Sequence, residues 1–487
     1  MKAFQPQVKV TLIKTCRRES LGTTVNAGRD VLPDMTRLGQ FTELDLTPFL
    51  MDGGGVRTSK SVRDAAGTFS LTLSDRPVRG SSIYSLIEPT DIMEIGFARS
   101  PVARPSDLPV VMRGLVSAVS RAETIEGGHP QRAVQVAGHD FGKILQMLRI
   151  YYLPGSVVGE VWLDQFRFFR QYNMDAKIKP AEVFLEEVVA NVINPYLQKV
   201  VAITQGRGLS VAVPKSFVAD CSIAGLVSPV GVATFHGGSV YDLLSRFLDV
   251  GPFNELYVED RGATMAVVCR PAPWRDLAGD YIDPAASAET VEVSDEDLMQ
   301  INISRSDAGV ANYFWCGNGS WELLNNGTLQ LLAQSGNRST YTAFDYINAA
   351  TARFGLRKME VESQLGDPLG LFGDGPAEKG AARERATRAR WLDNRRRVLA
   401  LSNRDNVVLE AGQLRLRGNE AIRAGQYIEL QRGAMRSTQY AVTVQHEFLP
   451  AVGFFTTVDF ERGTGFVAGQ SRVGKPWFDE RNEGGVS

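Results

Sequence analysis

The stretch from Asn406 to Phe466 leaves this chain few folds to choose from. After the turn residues Arg432-Gly433-Ala434, Tyr440, Val442, Val444, His446 and Phe448 alternate with Ala441, Thr443, Gln445 and Glu447. Pro450 to Gly453 turns the chain, and Phe454, Thr456, Val458 and Phe460 alternate again before Arg462-Gly463. Upstream, Ile428 and Leu430 share one side with Gln426. Period-two apolar residues between turn signals predict strands with one buried face. With so little chain between the strands, a small barrel or sandwich is favoured over an open sheet.

A similar module opens the chain. Val8, Val10 and Leu12 alternate, as do Phe69, Leu71 and Leu73, then Met93, Ile95 and Phe97. Val110 to Ile125, the turn Glu126-Gly127-Gly128 and a return strand through Val134 and Val136 predict a hairpin. Between the two modules the pattern changes to helical spacing. Asp140 is read as the cap of a helix through Phe141, Leu145 and Leu148. Further helices are predicted over Glu160 to Tyr172, Ala181 to Ile193 and Gly238 to Leu248. Asp260-Arg-Gly262 sits between two short apolar runs as a hairpin turn, and Asn325-Asn326-Gly327 gives a second such signal. Ala381 to Leu401 reads as a long basic helix.

The predicted fold class is α+β, mainly β: two similar small antiparallel β-barrel modules with an α+β insert between them. The spans are 1–138 for the first module with an extended arm, 139–295 for the insert, and 296–345 for the start of the second module. Then come 346–404 for a loop and the basic helix, 405–470 for the C-terminal module, and 471–487 for a flexible tail.

Catalytic patterns are missing from the sequence. The four histidines form no ligand set, and His446-Glu447 lacks the second histidine of a zincin. There is no P-loop and no GxSxG elbow. The four cysteines are far apart without a CxxC pair, which predicts a reduced compartment. A formal charge of −2 gives no bulk attraction to nucleic acid or anionic membrane. No signal peptide or membrane-spanning run is read from the chain. The expectation is a protein with no enzymatic activity, no cofactor and no metal.

Gly67-Thr-Phe-Ser-Leu-Thr-Leu, Pro89-Thr-Asp-Ile-Met-Glu-Ile and Arg113-Gly-Leu-Val with His139-Asp140 resemble the first barrel of phage baseplate hub proteins. Asn254-Glu-Leu-Tyr-Val-Glu-Asp and Arg270-Pro-Ala-Pro-Trp resemble that family's central domain. Gly425-Gln-Tyr-Ile-Glu-Leu, Tyr440-Ala-Val-Thr-Val-Gln-His and Thr456-Thr-Val-Asp-Phe-Glu-Arg-Gly resemble its last barrel. The family is related to the hub part of the type VI secretion spike protein. The resemblance implies a homotrimer whose paired barrels form a ring. That ring joins the hexameric tail tube to the central spike and encloses a channel for tape-measure protein and DNA. It implies contacts with tail tube protein, spike and baseplate wedge or other tail proteins, and no membrane insertion. The location implied is the virion tail baseplate, with assembly in the host bacterial cytoplasm. The alternative is a tail-associated peptidoglycan hydrolase, which needs an acid/base pair in a cleft, or an injected host-directed binding module.

Two groups of residues are candidates for contact. Trp391 with Arg395, Arg396 and Arg397 marks a partner interface on the basic helix, where the alternative is a solvated helix face. Thr443, Gln445, Glu447, Asp459 and Glu461 are candidates for a channel wall. A wall that must release DNA should be neutral or acidic, because each cation paired with phosphate adds salt-dependent affinity.

Overall fold

The structure is a computed structural model. It describes residues 5–14, 43–78, 81–104, 107–126, 129–151, 167–201, 213–228, 237–317, 348, 350–365, 377–432 and 435–464. The predicted Asn325-Asn326-Gly327 hairpin, the first part of the Glu160 to Tyr172 helix and the C-terminal tail lie outside these residues.

The first module contains β1 (Gln7–Ile13), β2 (Glu43–Asp45), β3 (Val56–Ser61), β4 (Thr68–Ser74), β5 (Ile92–Ala98), β6 (Val110–Glu126) and β7 (His129–Asp140). β6 and β7 form the predicted hairpin. β4 shows the alternation plainly: Phe69, Leu71 and Leu73 are buried, while Thr68 and Ser70 are exposed. Val10, Leu12, Phe69, Leu71, Met93, Ile95, Phe97, Val134 and Val136 share one core.

The insert begins with α1 (Lys143–Met147), preceded by Gly142 and not by Asp140. Asp140 instead ends β7, where its carboxylate accepts from the Gly142 N–H and pairs with Lys60. α2 (Ala181–Val188) follows Pro180 and runs through a π-helical turn, Val189–Ile193, into α3 (Asn194–Val201). The sheet β8 (Ser216–Cys221), β9 (Asn254–Asp260) and β10 (Thr264–Pro271) packs on these helices and on α4 (Val240–Phe247). Ser239 and Asp242 close a reciprocal capping box on α4, which satisfies two donors at its first turn. β9 and β10 pair across the predicted Asp260-Arg-Gly262 turn.

The second module is β11 (Thr290–Ser294), β12 (Leu298–Ser304), then, after a short pair β13 (Tyr313–Gly317) and β14 (Lys358–Glu362) and the helix α5 (Ala377–Asn403), β15 (Glu410–Arg417), β16 (Tyr427–Arg432), β17 (Met435–Leu449) and β18 (Gly453–Thr464). β11 lies inside the span assigned from sequence to the insert. It pairs with β16 and belongs to the second module.

Thirteen strands form one sheet in the order β12-β15-β18-β17-β3-β4-β7-β6-β5-β1-β2, with β16 on β17 and β11 on β16. Among the described residues neither module closes into a barrel. Ranking six strands of each module by chain position (β1 and β3 to β7; β11, β12 and β15 to β18) gives one sheet order, 1-4-5-6-3-2, in both. The corresponding pairings are antiparallel in both, with one exception. β1 runs antiparallel to β5, whereas β11 runs parallel to β16.

Alternation in β17 departs from the sequence reading because the pairing with β18 skips Val442, between Ala441 and Thr443. An extra residue in one strand reverses the faces beyond it. Ala441 therefore joins Val444, Val458 and Phe460 in the second module's core. Tyr440 and Val442 pack with Tyr257, Ala266 and Val268 of the insert. One strand serves two cores.

Candidate assembly interface

The two modules meet where β17 pairs antiparallel with β3, with His446 opposite Thr58 and Phe448 opposite Val56. Phe97, Phe448 and Phe454 cluster there with His446, their ring centroids 5.1 to 6.4 Å apart. His446 is buried. Its Nε2 lies 3.2 Å from the Ile422 carbonyl oxygen, which can only accept, so Nε2 carries the proton. Nδ1 then accepts from the Thr456 hydroxyl, 3.0 Å away. Burial, with a smaller contribution from the Arg423 charge, lowers the His446 pKa to about 4.

Two arginines, Arg113 buried and Arg270 half-buried, tie the insert to both modules. Arg113 of β6 bonds Glu94 at 2.7 Å and the Gly262 carbonyl at 2.6 Å. Arg270 of β10 bonds Glu255 at 3.0 Å, the Gly425 carbonyl at 2.8 Å and the Tyr440 hydroxyl at 3.1 Å. Tyr440 in turn donates to the other Glu255 oxygen at 2.6 Å. Burial raises the pKa of Glu255, and Arg270 and Tyr440 oppose that shift. Such groups are costly to bury unless all are partnered, and here the partners come from both sides of the junction. A small cavity of about 100 Å³ remains where the modules and insert meet, lined in part by Lys60, Asp140, Asp260 and His446.

With both cores on one side of the sheet, the other side is polar. Register places Gln413, Asp459, Thr443 and Ser61 in one row, and Arg415, Thr457, Gln445, Ser59, Thr68 and His139 in the next. Arg417, Phe455, Glu447 and Arg57 form a third row, which continues through Ser70, Ala137 and Ala118. The face therefore runs unbroken from one module to the other. Its middle forms an open depression of about 590 Å³ between β17, β3, β4 and β7. Several charges on it are paired: Glu447 pairs with Arg57 at 2.6 Å and with Arg415 at 3.7 Å, and Glu461 pairs with Arg63. Asp459 accepts from Gln413 at 2.8 Å.

Thr443, Gln445, Glu447 and Asp459 thus share one surface, with Glu461 at its end beside Arg63. The basic-helix candidates are divided by the fold. Arg395 is buried, its guanidinium 4.3 Å from the Trp391 ring centroid and 5.3 Å from that of Phe253. Trp391 is half-buried and donates to the Ser363 hydroxyl at 3.0 Å. Arg396 is half-buried beside Asp393, and Arg397 is exposed. Leu392 and Leu399 of α5 pack with Phe253, Phe314 and Cys316, so this helix is fixed from within the chain.

Sequence reasoning missed one pair altogether. Cys221 and Cys269, 48 positions apart in the chain, face each other in register on the parallel strands β8 and β10 as free thiols. Hydrogen bonding between them lowers the Cys221 pKa and raises that of Cys269. Among the described residues no group of three His, Cys, Asp or Glu side chains could hold a metal ion, and no helix is long and apolar enough to cross a membrane.

No family model matches this chain, and no curated protein does. Solved structures do. A tail protein from Neisseria meningitidis MC58 is similar over 94% of this chain and 97% of its own, at 10% identity and a TM-score of 0.45. Prophage tail protein gp18 from Listeria monocytogenes EGD-e is similar over 93% of this chain and 94% of its own, at 9% identity and a TM-score of 0.40. The 43 kDa tail protein of prophage MuSo2 from Shewanella oneidensis is similar over 84% of this chain and 93% of its own, at 9% identity and a TM-score of 0.39.

Proposed function

We propose that this chain is a structural baseplate hub of a phage tail: a homotrimer that presents six related β modules to a hexameric tail tube and holds the central spike. The observation that carries the reading is the repeated 1-4-5-6-3-2 strand order within one continuous sheet. Two copies of one module per chain turn three-fold symmetry into an approximate six-fold face. The order of sequence segments that resemble hub proteins supports the same reading.

In this reading the two modules act as barrel-like units of the ring, and the polar sheet face lines the channel for tape-measure protein and DNA. Paired charges suit that role. Arg57 and Arg415 are engaged by Glu447, so the face offers a passing polyanion little net attraction. The rim carries contacts to tail tube, spike and wedge proteins, and Arg397 on α5 is a candidate contact there.

Native mass spectrometry and negative-stain microscopy of the purified full-length chain test the proposal. A three-chain particle with a six-lobed ring around a central hole is expected. A chain that stays monomeric at high concentration and alongside tail tube protein would refute it.

A further inference from the structure

We propose that the outer edge of β12 pairs antiparallel with the second half of β6 in another copy of this chain, Ser304 opposite Ser120 and Asn302 opposite Ala122. The inference rests on the trimeric reading and deepens it by naming the strands that join the copies.

The chain contains its own template for this contact. β17 is paired on one edge by two strands in succession, β16 along 435–440 and β3 along 443–448. β6 occupies the same rank in the first module. Its first part, 110–115, pairs with β5. Beyond Ser117 that edge meets no strand among the described residues, although the other edge stays paired with β7 to the end of the hairpin. β12, which has the rank of β3, pairs among the described residues only with β15. Among the described residues the fold therefore holds one joined β3–β17 contact and leaves the equivalent donor edge and acceptor edge without a strand.

The register follows from landmarks common to both modules. Pairing with the preceding strand ends at Leu115 in β6 and at Tyr440 in β17. In each, the hairpin pairing skips the residue two places on, Ser117 or Val442. Ala118, Ser120 and Ala122 thus correspond to Thr443, Gln445 and Glu447. On the donor side, Arg57 connects through Ser70 and Ala137 to Ala118, and Asn302 connects through Gln413 and Asp459 to Thr443. Arg57 therefore corresponds to Asn302, and Ser59 to Ser304. Within the chain Ser59 faces Gln445 and Arg57 faces Glu447. Transferred to the free edges, Ser304 faces Ser120 and Asn302 faces Ala122.

Side-chain exposure, which played no part in setting that register, agrees with it. Counting along both strands brings Met299, the residue that the β15 pairing skips, opposite Ile125. These two are 53% and 77% exposed, and Ile303, opposite Arg121, is 38% exposed. Large apolar side chains at unpaired strand edges favour pairing with another chain. Small residues at Ala118, Ser120 and Ala122 leave the polar side of the new junction open. Because donor and acceptor are different strands in different modules, the contact is head-to-tail and can close a ring.

Cysteine cross-linking of the full chain tests the pairing. The Ser304→Cys/Ser120→Cys double variant is oxidised and compared with each single variant and the wild type. Ser59→Cys/Gln445→Cys reports the equivalent contact inside one chain, and Ser304→Cys/Thr124→Cys places the thiols out of register. Expected are covalent species of two and three chains from the in-register pair, absent from the single and out-of-register variants. A native mass of three chains with no cross-link, while the intrachain control forms, would overturn this pairing and leave the trimer standing. A monomer-sized cross-linked band would also overturn it, because the edges would then meet within one chain. A chain monomeric at every concentration would remove both readings.

Discussion

Acid should loosen the seam between the two modules through one side chain. His446 has a pKa near 4 in the folded chain, against an ordinary 6.5. Its Nδ1 already accepts from Thr456, so a second ring proton meets a donor at a ring that is buried. Because the folded value lies below the unfolded one, the unfolded chain takes up the proton first as pH falls. Stability from this residue is complete above about pH 6.5 and is lost progressively down to about pH 4. A difference of about 2.5 units at about 1.36 kcal/mol each amounts to roughly 3 kcal/mol. Urea unfolding of wild type and His446→Gln, measured from pH 4 to 8, isolates the effect, since Gln offers one donor and one acceptor but does not titrate. Carboxylates common to both proteins cancel in the difference. Wild type should lose about 3 kcal/mol relative to the variant between pH 6.5 and 4. Parallel pH profiles, or a His446 proton resonance titrating near 6.5, would refute the argument.

Tyr440→Phe removes the hydroxyl that bonds buried Glu255 at 2.6 Å, and should cost about 1.5–3 kcal/mol in urea unfolding. Gly412→Ala would set a Cβ 1.9 Å from the Asn302 carbonyl oxygen. It should push β12 off β15, seen as lost hydrogen-exchange protection over 298–304 with protection of β6 and β7 retained. Gln445→Lys with Thr457→Lys adds two cations to the polar face. In assembled particles it should slow DNA release, with a salt dependence steeper by about 0.9 per phosphate contact, whereas Arg397→Glu should leave release unchanged and weaken assembly.

Much of the fold was legible where a strand's two faces meet different surroundings. Phe69-Ser-Leu-Thr-Leu and Phe454 to Phe460 alternate in sequence and in burial alike. The alternation of Tyr440 to Phe448 is equally clear in sequence, but the structure breaks it at one point. A skipped residue at Val442 has no signature in composition, because Tyr440, Val442 and Val444 are all apolar and all buried, only against different partners. β11 escaped assignment to the second module because Thr290 to Ser294 gains its meaning from parallel pairing with a strand more than a hundred residues later. The polar face was half legible. Alternation identifies Thr443, Gln445 and Glu447 as neighbours on one side of a strand, but only register sets Asp459 opposite Thr443. For Arg395, charge patterning gave no warning of burial, since its stacking partners Trp391 and Phe253 come from the same helix and from the distant insert.

The repeat also explains why the insert must hold both modules and not one. Two modules joined only through β3 and β17 could hinge about a single six-residue pairing, from Thr443 to Phe448. The insert removes that freedom with one arginine at each end: Arg113 reaches Gly262 from the first module, and Arg270 reaches Gly425 in the second. A bidentate contact from Arg99 to Asp297 adds a third tie directly between the modules. Each tie fixes an angle as well as a distance, because a planar guanidinium bonds well only along its own fork. In a ring built from three such chains, half of the junctions would be fixed before assembly begins. Only the intermolecular half would then bear the orientational cost of association. Loosening either arginine should therefore reduce the yield of closed rings by more than its effect on the stability of the single chain accounts for.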